Sequence, residues 1–176
     1  GTGTHTFTTD GVAVSYILEN DLESQFLAFQ PDQNYSFSNG AIVQGSTTTA
    51  RGTVQSINDG LIYNFVISSG GGDYTGDFAL TIGAPDSGSG VQAAATANVT
   101  SGIVTKVTIT NPGSGYYTQP TVTAPASPSN NNAVIAAQIE GRVNINIANN
   151  IKFDASDYLL DGANANLGTG TFSQTG

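Results

Sequence analysis

The chain has no cysteine, no methionine and no tryptophan, one histidine, and four basic residues among 176. The absence of cysteine excludes disulfides, thiolate nucleophiles and zinc–cysteine centres, and leaves the redox compartment undetermined. Stability must then come from packing, which a chain of this length can supply as one domain or two small ones. Arg51, Lys106, Arg142 and Lys152 stand against 13 acidic residues, for a net charge of −9. No basic stripe exists to neutralise phosphates, so neither nucleic acid nor an anionic membrane is an expected partner. No apolar run approaches the roughly 20 residues of a membrane-spanning helix, and the opening GTGTHTFTTDG has neither a charged n-region nor an apolar h-region. Methionine is missing even from the start, which suggests a processed product or a piece of something longer.

Charged residues make up 10% of the chain, against about 25% in an average domain. Their place is taken by Thr, Ser, Asn and 22 glycines, with plentiful Val, Ile, Tyr and Phe. That profile suits neither a helical enzyme nor a disordered acidic tail, and it points to an all-β protein. An internal repeat supports this. SSGGGDYTGDFALTI (68–82) aligns without a gap on TNPGSGYYTQPTVTA (110–124), placing Gly71 on Gly113, Tyr74 on Tyr116, Leu80 on Val122 and Thr81 on Thr123, all 42 positions apart. The same offset places Gly60 on Gly102 and aligns NDGLIYNFVI with TSGIVTKVTI.

Each unit reads as strand, Gly turn, strand, Gly-rich turn with Tyr, strand. In IVTKVTI the alternation assigns Val104, Lys106 and Thr108 to one face and Ile103, Thr105, Val107 and Ile109 to the other. AVIAAQIEGRVNINI (133–147) reads as a degenerate third copy with its turn at Glu140-Gly141. The expected architecture is a meander or small sandwich of about two and a half 42-residue repeats (46–147). It follows a β-rich N-terminal extension (1–45) and precedes a C-terminal arm (148–176) that would be a donated strand or a free tail.

In the extension, residues 4–18 read as a hairpin around Thr9-Asp10-Gly11, and Asn39-Gly40 carries a second hairpin signal. Residues 20–29 favour one short helix over a strand, because Leu18, Leu22 and Phe26 recur at i+4 behind a capping Asn20 or Asp21.

Chemistry-bearing motifs are few. His5 has neither a cysteine nor a nearby carboxylate in sequence to work with, and no G-x-S-x-G elbow occurs. Residues 88–93, GSGVQA, fit a dinucleotide fingerprint in letters, without the βαβ context that gives it meaning. Asp73 with Asp77, and Asp154 with Asp157 and Asp161, raise a question of Ca²⁺ binding, but neither group follows a known calcium-loop spacing. No catalytic residue, metal site or cofactor is expected, and the chain reads as non-enzymatic. NPGSGYYTQPTVTA (111–124) leaves two readings open. One is a turn joining strands, its tyrosines packed on the sheet. The other is a stacking platform in which exposed Tyr74, Tyr116 and Tyr117 hold a sugar ring.

SGIVTKVTITNPGSGYYTQPTVTA resembles a repeat of tailed-phage virion proteins that runs as a Gly turn, a V-T-x-V-x-V strand, an N-x-G-S-G-Y turn and a P-T-V-T strand. DGLIYNFVISSGGGDYTGDFALTI matches more loosely, with Asp77-Phe78 where Pro-Thr should begin, and the likeness covers residues 50–147. The resemblance implies a structural subunit of a virion, found in tail fibres, baseplates or capsid decorations. Such a subunit would assemble with its own copies and with other virion proteins through β contacts, and a host surface glycan is a further partner in an adhesive role. A cellular extracellular fibre or surface-layer subunit built on the same repeat is the alternative from outside the virus. If the arm makes the contacts, removing residues 163–176 weakens assembly more than folding.

Overall fold

The computed structural model describes residues 12–20, 24–31 and 38–161. Among them the chain is all-β, with strands in antiparallel pairs and no helix. It divides into two compact units, one made of Gly1–Asn58 with Gly141–Gly176 and the other of Asp59–Glu140. This differs from the boundaries expected after residues 45 and 147. Both Asp59-Gly60 and Glu140-Gly141 read as turns in the sequence, yet β4 (Arg51–Ser69) and β10 (Val134–Ile147) run through them as single strands. Neither Gly60 nor Gly141 has a positive φ. Their hydrogen atoms serve close approach instead: a Cβ on Gly60 would lie 1.9 Å from the Tyr116 carbonyl oxygen, and one on Gly141 would lie 2.2 Å from the Phe29 ring.

The first unit holds β1 (Val12–Asn20), β2 (Ser24–Phe29), β3 (Ile42–Gly45), β11 (Tyr158–Asp161) and the adjoining ends of β4 and β10. Their order, β1-β11-β3-β4-β10-β2, closes on itself because β1 pairs with both β11 and β2. Closure removes the free edges that an open sheet would present. Leu27, Phe29, Val43, Val54, Val143, Ile145, Phe153 and Leu159 fill the interior.

Two expectations are corrected here. The described part of 20–29 is not helical: Asn20 ends β1, and Ser24–Phe29 is a strand paired to β1 on one side and to β10 on the other. The period-2 pattern is disguised because the inward set is Gln25, Leu27 and Phe29, and Gln25 scores as polar although it is fully buried. Its amide is satisfied by Phe153, whose N–H donates to Oε1 at 2.7 Å and whose carbonyl accepts from Nε2 at 3.1 Å. The segment 148–161 is not a free arm, since β11 takes up pairing with β1 and β3 inside the closed sheet. The Asn39-Gly40 turn is present, with Gly40 at φ 85°. The first strand of the expected 4–18 hairpin and residues 163–176 lie outside the described residues.

The second unit holds the other ends of β4 and β10 with β5 (Phe78–Ala79), β6 (Thr81–Ile82), β7 (Ala94–Thr100), β8 (Ile103–Asn111) and β9 (Val122–Thr123). β7 and β8 form a hairpin closed by Ser101 (φ 51°) and Gly102 (φ 82°), a two-residue turn with positive φ at both positions, whose twist matches the strands. β5 flanks β7, and β6 pairs with β9. The alternation expected for β8 fails midway. Val99 faces Val104 but Asn98 faces Lys106, so Thr105 is an extra residue in a bulge. The bulge lets Val104 and Val107 both join the core, with Ile62, Tyr74, Leu80, Ile82 and Tyr116.

Candidate functional site

The two Tyr turns have the same backbone. Gly71 and Asp73 have φ of 66° and 60°, and Gly113 and Gly115, at the matching positions, have φ of 72° and 77°. The left-handed pair reverses the chain so that the following tyrosine points inward. Each ring is then fixed by two backbone groups. The Tyr74 hydroxyl accepts from the Ala133 N–H at 2.9 Å and donates to the Pro125 carbonyl at 3.1 Å. The Tyr116 hydroxyl accepts from the Ala93 N–H at 2.9 Å and donates to the Gly83 carbonyl at 3.0 Å. A Cβ on Gly71 or Gly113 would lie 2.8 Å from its own tyrosine ring.

The copies also bond each other reciprocally. Tyr74 N–H donates to Gly102 O at 3.1 Å, as Tyr116 N–H does to Gly60 O at 3.1 Å. Val104 N–H donates to Gly70 O at 2.9 Å, as Ile62 N–H does to Pro112 O at 2.9 Å. Thr81 pairs with Thr123, its own counterpart. The second unit is thus two similar halves related by an approximate twofold axis, and the Tyr turns are the latches between them.

This geometry corrects the stacking platform. Tyr74 is 8% exposed and Tyr116 fully buried, so neither presents a ring face to solvent. Burial leaves the phenol oxygen needing partners, and the backbone groups it finds are the reason the ring turns inward. Tyr117 is half-buried, and its hydroxyl donates to Asp59 Oδ2 at 2.6 Å. That bond is the main reason its phenol is held above the ordinary tyrosine range.

The carboxylates near these turns hold backbone N–H groups. Asp59 Oδ1 accepts from Gly115 N–H at 3.0 Å. Asp86 Oδ2 accepts from the adjacent N–H groups of Tyr117 and Thr118 at 2.7 and 2.8 Å, and its Oδ1 takes the Thr118 hydroxyl. The Thr118 N–H bond is the largest of the causes that hold Asp86 below the usual carboxylate range. Asp77 accepts from Val99 N–H at 2.7 Å, at the bulge, and from the Asn98 amide at 3.0 Å, which lowers its pKa in the same way.

Among the other residues raised as Ca²⁺ candidates, Asp157 and Asp154 are used similarly. Asp157 is buried and accepts from the N–H groups of Thr47, Thr48 and Asp154 and from the Thr48 hydroxyl. Asp154 takes the N–H and hydroxyl of Ser156. Asp161 pairs through its backbone with Val43, and Asp73 is exposed in the first Tyr turn. Among the described residues no three His, Asp or Glu side chains gather as a metal site would require. Residues 88–93 form a loop before β7, where Val91 and Ser114 exchange N–H···O bonds of 3.2 and 3.0 Å. His5 lies outside the described residues.

One open groove, of about 340 Å³, adjoins the first latch. Residues 74–78 floor it, and Pro125, Ala126 and Pro128 wall it. The Phe78 ring rests against Tyr74 with centroids 4.7 Å apart. Sequence reasoning named Tyr74 and Asp77 but missed Asp59, Asp86 and this groove. A signal was there: the 42-residue offset that relates Gly83 to Pro125 shrinks to 40 between Ser87 and Ser127.

No protein-family model matches the chain, and no curated protein or solved structure matches it.

Proposed function

We propose that the chain is a non-enzymatic structural subunit of a phage virion, a capsid decoration, tail or fibre component that works through β contacts between subunits. The observation that carries this reading is the use made of the signature turn. The glycines and tyrosines on which the resemblance to virion repeats rests are the parts that latch two repeat halves, each polar atom of the latch being spent on backbone. Carboxylates at Asp59, Asp77, Asp86 and Asp157 are engaged likewise in holding turns. Low charge suits assembly, because contacts made by hydroxyls, amides and packed apolar surface lose little to salt screening. In this role the chain meets its own copies and other virion proteins in an extracellular particle.

Electron cryomicroscopy of the native particle that contains the chain tests the proposal. Repeated copies at fixed positions on a capsid, baseplate or tail are expected. The same subunit in filaments on uninfected cells would select the cellular fibre instead and end the virion assignment.

A further inference from the structure

The two halves of the second unit differ in how the chain following each latch is held. After the second latch, the N–H groups of Tyr117 and Thr118 converge on one carboxylate oxygen of Asp86. After the first latch the matching positions are Thr75 and Gly76, and no hydrogen bond from either N–H is found among the described residues. The cause is a length difference in the facing loop. Gly83 and Pro125 play the same part, each accepting from a latch hydroxyl, and so do Ser87 and Ser127, each accepting the N–H of the residue three further on. Three residues, Ala84, Pro85 and Asp86, separate the first pair, but Ala126 alone separates the second. The missing equivalent of Pro85-Asp86 leaves the groove of about 340 Å³ on Thr75 and Gly76.

We infer that this groove is a binding site for a neutral saccharide carrying an acetamido group. The closed half displays the chemistry that fits: two neighbouring N–H groups grip one acceptor oxygen, and an acetamido carbonyl supplies such an oxygen. A charged acceptor is disfavoured in the open half, because Asp77 lines the groove and the chain carries a net charge of −9. The Asp77 carboxylate is held in place by Val99 and Asn98, and it keeps lone pairs for a sugar hydroxyl. The Phe78 ring, braced by Tyr74, and the rings of Pro125 and Pro128 offer apolar surface to the C–H face of a pyranose. The site does not rest on the virion assignment, and it differs from a platform of exposed tyrosines in using the N–H groups beyond the first latch.

The test is an NMR titration of the full chain with N-acetylglucosamine and N-acetylgalactosamine, with glucose and N-acetylneuraminic acid as comparisons. Saturable shifts of the Thr75 and Gly76 amides are expected with at least one of the neutral acetamido sugars, and weaker ones or none with the comparisons. Inserting Pro-Asp between Ala126 and Ser127 rebuilds the plug and should weaken binding at least about tenfold. Gly76→Leu should do the same without straining the fold, since a Cβ at Gly76 meets nothing within 4 Å and its φ is not positive. Silent Thr75 and Gly76 amides at about 50 mM sugar would overturn the inference. So would binding that both variants leave unchanged, or a preference for the acidic sugar.

Discussion

Removing one oxygen from a latch, by Tyr116→Phe, should cost far more than its size suggests. The ring stays and its apolar contacts with the core around Ile62 and Val104 are kept. What is lost is the acceptor for the buried Ala93 N–H and the donor to the Gly83 carbonyl. An unsatisfied buried donor costs about 1–3 kcal/mol, and the second bond adds about 0.5–1.5 kcal/mol, so a loss of about 2–4 kcal/mol is expected. For a chain of this size that lowers the melting midpoint by about 5–15 °C. Tyr74→Phe, with the same two bonds to Ala133 and Pro125, should cost a similar amount. Tyr63→Phe is the control: Tyr63 is 38% exposed, and its hydroxyl has no such backbone pair. Calorimetry gives the cost, and amide hydrogen exchange locates it, with the Ala93 amide exchanging faster in one latch variant and the Ala133 amide in the other. A Tyr116→Phe protein within about 0.5 kcal/mol of the parent, or one in which Ala93 exchange is unchanged, would refute the latch.

Gly60→Ala and Gly141→Ala should each destabilise by more than about 3 kcal/mol in chemical denaturation, since the new Cβ would meet the Tyr116 backbone or the Phe29 ring. Asp73→Gly should stabilise by up to about 1 kcal/mol in the same assay, because it relieves a left-handed non-glycine residue where the other half already has Gly115. Stability followed by circular dichroism against pH should be flat in the middle and fall at both ends. Asp77, Asp86 and Asp154 have folded pKa values below the ordinary 3.8, so their contribution is present above that value and lost as pH falls through the folded ones. Tyr117 is shifted upward, so its contribution is present below pH 10 and lost as pH rises through its folded value. Replacing residues 59–140 by Asn-Gly should leave a chain with the β-type spectrum and cooperative melt of a folded first unit, because that unit has its own core; an unfolded product would count against the division at Asn58 and Gly141.

The all-β class, the repeat and its Tyr turns were legible because each depends on short-range signals: β-branched composition, a fixed offset, and glycines at left-handed positions. Three features were not legible, each for a reason of long range. Whether a Gly pair is a hairpin or a pass-through depends on what lies across the sheet, so Ser101-Gly102 turns while Asp59-Gly60 and Glu140-Gly141 do not. Gln25 broke the alternation of β2 because its buried amide is matched by Phe153, 128 positions away. At the bulge opposite Thr105 the Val99 N–H is taken by Asp77, just ahead of β5, and no pattern within IVTKVTI contains that partner.

The form of the latch also accounts for how far the two halves have diverged. Its hydroxyl bonds only to backbone atoms, so side chains at the receiving positions are free to differ. Pro125 is a case in point: it lacks an N–H but offers the carbonyl that Tyr74 needs, as Gly83 does for Tyr116. The constraint falls on the turn, where Gly71 and Gly113 leave no room for a Cβ against the ring, and on the tyrosine itself. Loops beyond those points can gain or lose residues without disturbing either bond. Pro85-Asp86 marks such a difference: with these residues the loop supplies an acceptor to its neighbour's turn, and without them Thr75 and Gly76 line an open groove. A fold latched through backbone can therefore keep one half closed as structure while the other half is available for recognition.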